Sequence, residues 1–128
     1  MATHQIIRNL ALGLPEAVEM DHHGFPSFRV AGKIFATLRA EPPRLMVKLD
    51  GEDQANLCAA HPRAIAPVPG YWGRKGSTFV DYEAIDEATA RMLLRLAWTG
   101  VAPKRLRRRL EAKLDLRHRA RLSGVPAL

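Results

Sequence analysis

Cysteine is nearly absent from this sequence of 128 residues: Cys58 stands alone. A single thiol closes no intramolecular disulfide, which excludes a disulfide-stapled secreted scaffold and suits a reducing compartment. Long apolar runs are absent too, and nothing approaches the ~20 consecutive apolar residues of a membrane span. The opening MATHQIIRNLALGLP has no basic region followed by a long apolar core, so no signal peptide is expected. The expectation is a soluble protein of the cytoplasm. The signatures of common catalysts are absent as well. No serine sits in a GxSxG elbow, and there is no Gly-rich phosphate loop. His4, His61 and His118 lack an HxxxH or CxxC partner, and adjacent residues such as His22 and His23 point to opposite faces of a strand. Asp21, Asp50, Asp81 and Asp86 each read as strand-edge or cap residues. No enzymatic activity, metal or cofactor is therefore expected.

What is present is enough apolar sequence to build a core, 47% of residues, in a chain the size of one domain. Neither an internal repeat nor an interdomain linker interrupts it. The expected domain runs over residues 1–122, with a patternless, disordered tail at 123–128. The net charge of +7 has one address. Residues 1–100 carry eleven Lys/Arg and eleven Asp/Glu, whereas residues 101–121 carry nine Lys/Arg against Glu111 and Asp115. A block of one sign attracts phosphates or an acidic partner, and it equally describes a solvated C-terminal segment.

The most ordered pattern lies between Gly24 and Asp50, GFPSFRVAGKIFATLRAEPPRLMVKLD. It reads as three strands broken at Gly32 and at Glu41-Pro42-Pro43. Side chains two apart share a face. Pro26, Phe28, Val30, Ile34, Ala36, Leu38, Leu45, Val47 and Leu49 are expected inward. Ser27, Arg29, Lys33, Thr37, Arg39, Arg44 and Lys48 are expected outward, with the apolar Phe35 and Met46. This predicts a half-buried antiparallel meander with a cation-rich open side.

The flanking chain predicts helices and further strands. Thr3 caps a helix to about residue 12 in which Ile6, Ile7, Leu10 and Leu14 fall near one face. Ala17–Asp21 is a weaker strand with Val18 and Met20 inward, and Glu19 and Asp21 outward beside Arg29 and Lys33. Asp50 caps a helix from Gly51 to about Ala60 whose inner side holds Leu57 and Cys58, the latter an inert thiol. Short extended pieces at Ala64–Pro67 and Thr78–Tyr82 flank a Pro- and Gly-rich loop. Asp86 caps a helix with the stripe Met92, Leu93, Leu96, Ala97, stopped at Gly100. After Pro103, Leu106, Leu110 and Leu114 repeat every four residues on a lightly docked last helix.

ALGLP, then Gly24-x-Pro26-x-Phe28-Arg29-Val30-x-Gly32-Lys33-Ile34-Phe35-Ala36, then Leu45-x-Val47-Lys48-Leu49-Asp50, resembles the MmcQ/YjbR-like family of small bacterial proteins. Tyr71-Trp72-Gly73-Arg74-Lys75 and Thr78–Asp81 follow in the same order. The resemblance spans roughly residues 5 to 110. It implies an α+β, two-layer fold of the CyaY-like kind, with an antiparallel sheet, helices packed on one face, and the order helix–strands–helix–strands–helices. It also implies a DNA-binding role of the "double-wing" type, without an established activity. The basic C-terminal segment does not match the family pattern.

The expected function is non-sequence-specific binding of DNA or other nucleic acid. The alternative is a protein-interaction module or homodimer using the open sheet face. The candidate contacts are Arg29, Lys33, Arg39 and Lys48 on the sheet, Arg74 and Lys75 in the loop, and Lys104, Arg105, Arg107, Arg108 and Arg109 on the last helix. In the loop, Tyr71 and Trp72 stand beside two cations, which suits base stacking with phosphate capture. Trp72 is nevertheless expected to fold back and close the core edge. Phe35 and Met46 on the open face either support a ligand or bury into a dimer.

Overall fold

A computed structural model describes residues 1–123, with side chains to residue 117. The elements in order are α1 (His4–Leu12), β1 (Val18–His22), β2 (Phe25–Val30), β3 (Lys33–Arg39), β4 (Arg44–Lys48), α2 (Gly51–Ala60), β5 (Ile65–Pro67), α3 (Tyr71–Arg74), β6 (Ser77–Val80), α4 (Glu87–Val101) and α5 (Lys104–Ser123). The strands form one antiparallel sheet in the order β1-β2-β3-β4-β6-β5, and α1 and α4 pack over β3 and β4. The fold is α+β, as the strand alternation and the family resemblance both imply. Among the described residues no helix is long and apolar enough to cross a membrane.

Short polar side chains start the helices. Thr3 accepts from the Ile6 amide, Asp50 from Asp53 at 2.7 Å and Asp86 from Thr89 at 2.8 Å, each satisfying a donor that the first turn leaves open. α4 does not stop at Gly100. It runs to Val101 and ends where Ala102, held extended at ψ 143°, precedes Pro103.

Phe28, Val30, Leu38, Leu45, Val47 and Val80 fill the space under the helices and are fully buried. Three expectations about faces are overturned. Phe28 pairs with Ala36 but Arg29 pairs with Ile34, so Phe35 is an extra residue in β3. Such a bulge reverses the alternation locally. Phe35 is buried in the core and Ile34 only half-buried, the opposite of a strict period of two. On edge strand β1, Val18 and Met20 are the exposed residues, at 49% and 51%. Glu19 meets Arg8 of α1 at 2.6 Å rather than Arg29 or Lys33. On α4 the buried set is Ala90, Leu93, Leu94, Ala97 and Trp98, while Met92 lies outward.

α5 is seated more firmly than its narrow stripe suggests. Leu106 and Leu110 belong to the core, and Leu114 packs against it. Trp98, fully buried, donates from Nε1 to the Pro15 carbonyl at 3.1 Å and fixes the α1–β1 connection beside α5. The expectation of disorder over 123–128 lies, Ser123 apart, outside the described residues.

Candidate nucleic-acid interface

The sheet face away from α1 and α4 carries Phe25, Thr37, Arg39, Met46, Lys48, Ser77 and Phe79, which pair across neighbouring strands or stand two apart along one. With His22, His23, Ile34, Phe35, Val68, Trp72 and Lys75 they line a concavity of about 580 Å³. That volume falls within the range of small-molecule pockets, roughly 300–1,000 Å³. The lining includes three Lys/Arg, two His and no Asp or Glu.

One wall is built by α3 and the turn that follows it. Glycines let this turn lie flat. A Cβ on Gly73 would strike the Val68 carbonyl oxygen, and one on Gly76, at φ +108°, would strike that of Leu49. The backbone closes the gap with bonds from the Leu49 amide to the Gly76 carbonyl and from Val68 to Ser77, both 2.9 Å. From α2, the Gln54 side-chain amide donates to the Gly73 carbonyl and to the Thr78 hydroxyl, both at 3.0 Å. The result is a fixed shelf from which Trp72 and Tyr71 project, 65% and 56% exposed, with their rings edge to face at 5.2 Å. Trp72 therefore does not close the core edge. The glycines that press the shelf's backbone against Val68 and Leu49 leave the indole outside.

The cations around the concavity sit on aromatic faces. The Arg39 guanidinium lies 4.0 Å from the Phe25 ring centre, Arg44 lies 4.3 Å from that of Phe79, and Lys75 stands 5.6 Å from that of Tyr71. Arg39, Arg44, Lys48 and Lys75 make no salt bridge among the described residues. The Tyr82 hydroxyl donates to the Arg39 carbonyl at 2.9 Å and holds the end of β3. Burial, and then the carboxylates of Glu83, Glu41 and Asp81, push the pKa of that phenol up, so the donor stays protonated.

The eleven candidate cations thus separate. Arg39, Lys48 and Lys75 line the concavity. Arg29 is half-buried in β2 and donates to the Ser27 hydroxyl at 3.3 Å; Lys33 stands exposed at the β2–β3 turn; Arg74 borders a shallower hollow with Gln54 and Pro67. Lys104, Arg105, Arg107, Arg108 and Arg109 are exposed on α5 and contribute nothing to the concavity. Two of them are occupied, since Arg105 and Arg109 meet Glu16 at 3.2 and 3.7 Å. Sequence reasoning missed Phe25, Phe79, His22 at the end of β1 and His23 in the β1–β2 turn. Phe25 had a readable signal, because it shares parity with Ser27 and Arg29 once β2 is extended by one residue.

Burial raises the pKa of the Cys58 thiol, which lowers the thiolate available for attack. Among the described residues no three His, Cys, Asp or Glu side chains come together as a metal site.

A family model described as YjbR matches residues 12–99. The chain belongs to the YjbR family. The matched span contains every residue of the concavity, from His22 to Phe79, and stops before α5. The crystal structure of the Deinococcus radiodurans protein DR2400, which carries the family domain DUF419, is similar at TM-score 0.67 and 24% identity. That likeness covers 99% of this chain and 91% of the other, and it shows a shared fold. No curated protein matches the chain.

Proposed function

We propose that this YjbR-family protein binds nucleic acid without reading its sequence, through the open face of its sheet. The observation that carries the reading is the make-up of the concavity: Arg39, Lys48 and Lys75 with aromatic rings and no carboxylate. Phosphates supply most of the affinity of such contacts and bring no sequence preference. Lys104, Arg107 and Arg108 add long-range attraction from a second surface. The protein is a binder rather than an enzyme in this reading, and a protein of the cytoplasm, in line with its one cysteine.

A salt titration of binding to labelled mixed-sequence oligonucleotides, followed by anisotropy, tests the reading. Log affinity should fall linearly with log salt and depend little on sequence. Absence of salt-dependent binding to any nucleic acid would overturn it. One observation favours a second reading as a protein-interaction module. Val18 and Met20 are exposed on β1, whose outer edge is unpaired among the described residues, and such an edge can add a strand from another copy. Sedimentation over a range of concentrations separates the two, since a concentration-dependent dimer without nucleic-acid affinity would favour the second.

A further inference from the structure

We infer that the nucleic acid held in this concavity is a single strand, with an unpaired base stacked on Trp72 and its flanking phosphates held by Lys48 and Lys75. The inference rests on the nucleic-acid reading above and adds to it which form of the polymer is taken and which residue recognises it. Three features combine. Trp72 is an exposed indole on a shelf whose backbone is fixed by Gly73, Gly76 and Gln54, so no loop has to be ordered when a base stacks on it. Phe25 and Phe79 line the same hollow, but they are half-buried and Arg39 and Arg44 lie over their faces, so Trp72 is the exposed one of these three large rings. The space is a hollow of about 580 Å³ bounded by that shelf. A duplex presents its bases stacked and hidden behind the backbone, so it brings phosphates but no ring to such a hollow. A single strand brings both, and stacking is indifferent to which base arrives.

Trp72 and Trp98 are the two tryptophans, and Trp98 is fully buried, so emission quenched by a ligand reports on Trp72. The experiment compares a mixed-sequence single strand, the same sequence as a duplex, and an abasic strand of equal length, on the wild-type protein and on Trp72→Ala and Trp72→Phe. The single strand should quench the emission and bind about tenfold or more tightly than the abasic strand, the scale of one stacked base. Trp72→Ala should erase that preference while leaving the salt slope unchanged, and Trp72→Phe should restore most of it. Because the indole is exposed, circular dichroism and thermal unfolding should be the same for all three proteins. Equal binding of all three nucleic acids by the wild type would overturn the inference and leave the backbone-binding reading intact. Binding to none of them would overturn both.

Discussion

Arg39 and Arg105 are both exposed arginines on one small domain, yet their neighbours differ in kind. Arg39 lies 4.0 Å over the Phe25 ring, and Lys48 and Lys75 beside the same hollow make no salt bridge among the described residues. Arg105 meets the Glu16 carboxylate at 3.2 Å, and Arg109 shares that carboxylate at 3.7 Å. A ring face stabilises a guanidinium without engaging its in-plane N–H donors, which stay available to phosphate. A carboxylate engages those donors, and an incoming phosphate must displace it. Counting charge along the chain therefore points to α5 and passes over the concavity. The whole excess of +7 lies in residues 101–121, while the cations that line the concavity among aromatic rings and without carboxylates lie within residues 1–100, where the charges balance.

The hardest blow to the sheet region alone should come from its glycines. Gly76→Ala places a Cβ against the Leu49 carbonyl oxygen at φ +108°, a conformation that L side chains rarely adopt. Backbone strain and overpacking together should cost about 3 kcal/mol in urea-induced unfolding. Single-strand binding should fall with the displaced shelf, while the α5 surface is untouched. A variant as stable as the wild type would show that the shelf is not fixed as described.

Next in size is the loss of the concavity's own cations. Replacing Arg39, Lys48 and Lys75 together with Gln should flatten the salt slope on single strands by up to about 2, at roughly 0.7 per phosphate. Duplex affinity should fall less. The corresponding variant of α5, with Lys104, Arg105, Arg107, Arg108 and Arg109 all changed to Gln, sharpens the comparison. Five engaged cations would contribute a duplex slope of about −4.5. With Arg105 and Arg109 held by Glu16, three remain, and the slope lost should be nearer −2.7 by the same rule. A larger loss from α5 than from the concavity on single strands would reverse the ranking of the two surfaces.

The legible parts of this molecule were those that local rules decide. Alternation located β2, β3 and β4, cap residues located α1, α2 and α4, and the leucine repeat faced α5 correctly. Three things escaped because they depend on where the chain lies. A bulge carries no sequence mark, so Phe35 was expected outside and is buried. The register of β1 pairs Val18 with Arg29 and Met20 with Ser27, so both lie on the open face away from α1 and α4. The direction of Trp72 is set by the contacts of Gly73 and Gly76 with Val68 and Leu49, which are distant pairings that spacing does not reveal. The resemblance to the family carried the fold but said nothing of which cations share a hollow. That grouping came from the register of β3, β4 and β6 for Arg39 and Lys48, and from the shelf for Lys75.

The smallest expected effect is also the cleanest test of what each cation is for. Lys48 lies in β4 between the buried Val47 and Leu49, points to the open face opposite Ser77, and makes no salt bridge among the described residues. Lys48→Ala should change stability by no more than ~0.5 kcal/mol, the ordinary spread for a surface site. Arg105→Ala removes the closer of Glu16's two partners, an exposed pair of a kind that contributes about 0–1 kcal/mol. In stability, then, the change on α5 should equal or exceed the change on the sheet. In single-strand binding the order should invert, because Lys48 lines the concavity and Arg105 faces Glu16. Urea unfolding and anisotropy on the two single variants measure both orders. If Lys48→Ala costs well over 0.5 kcal/mol, the lysine is part of the scaffold, and the phosphate role falls to Arg39 and Lys75.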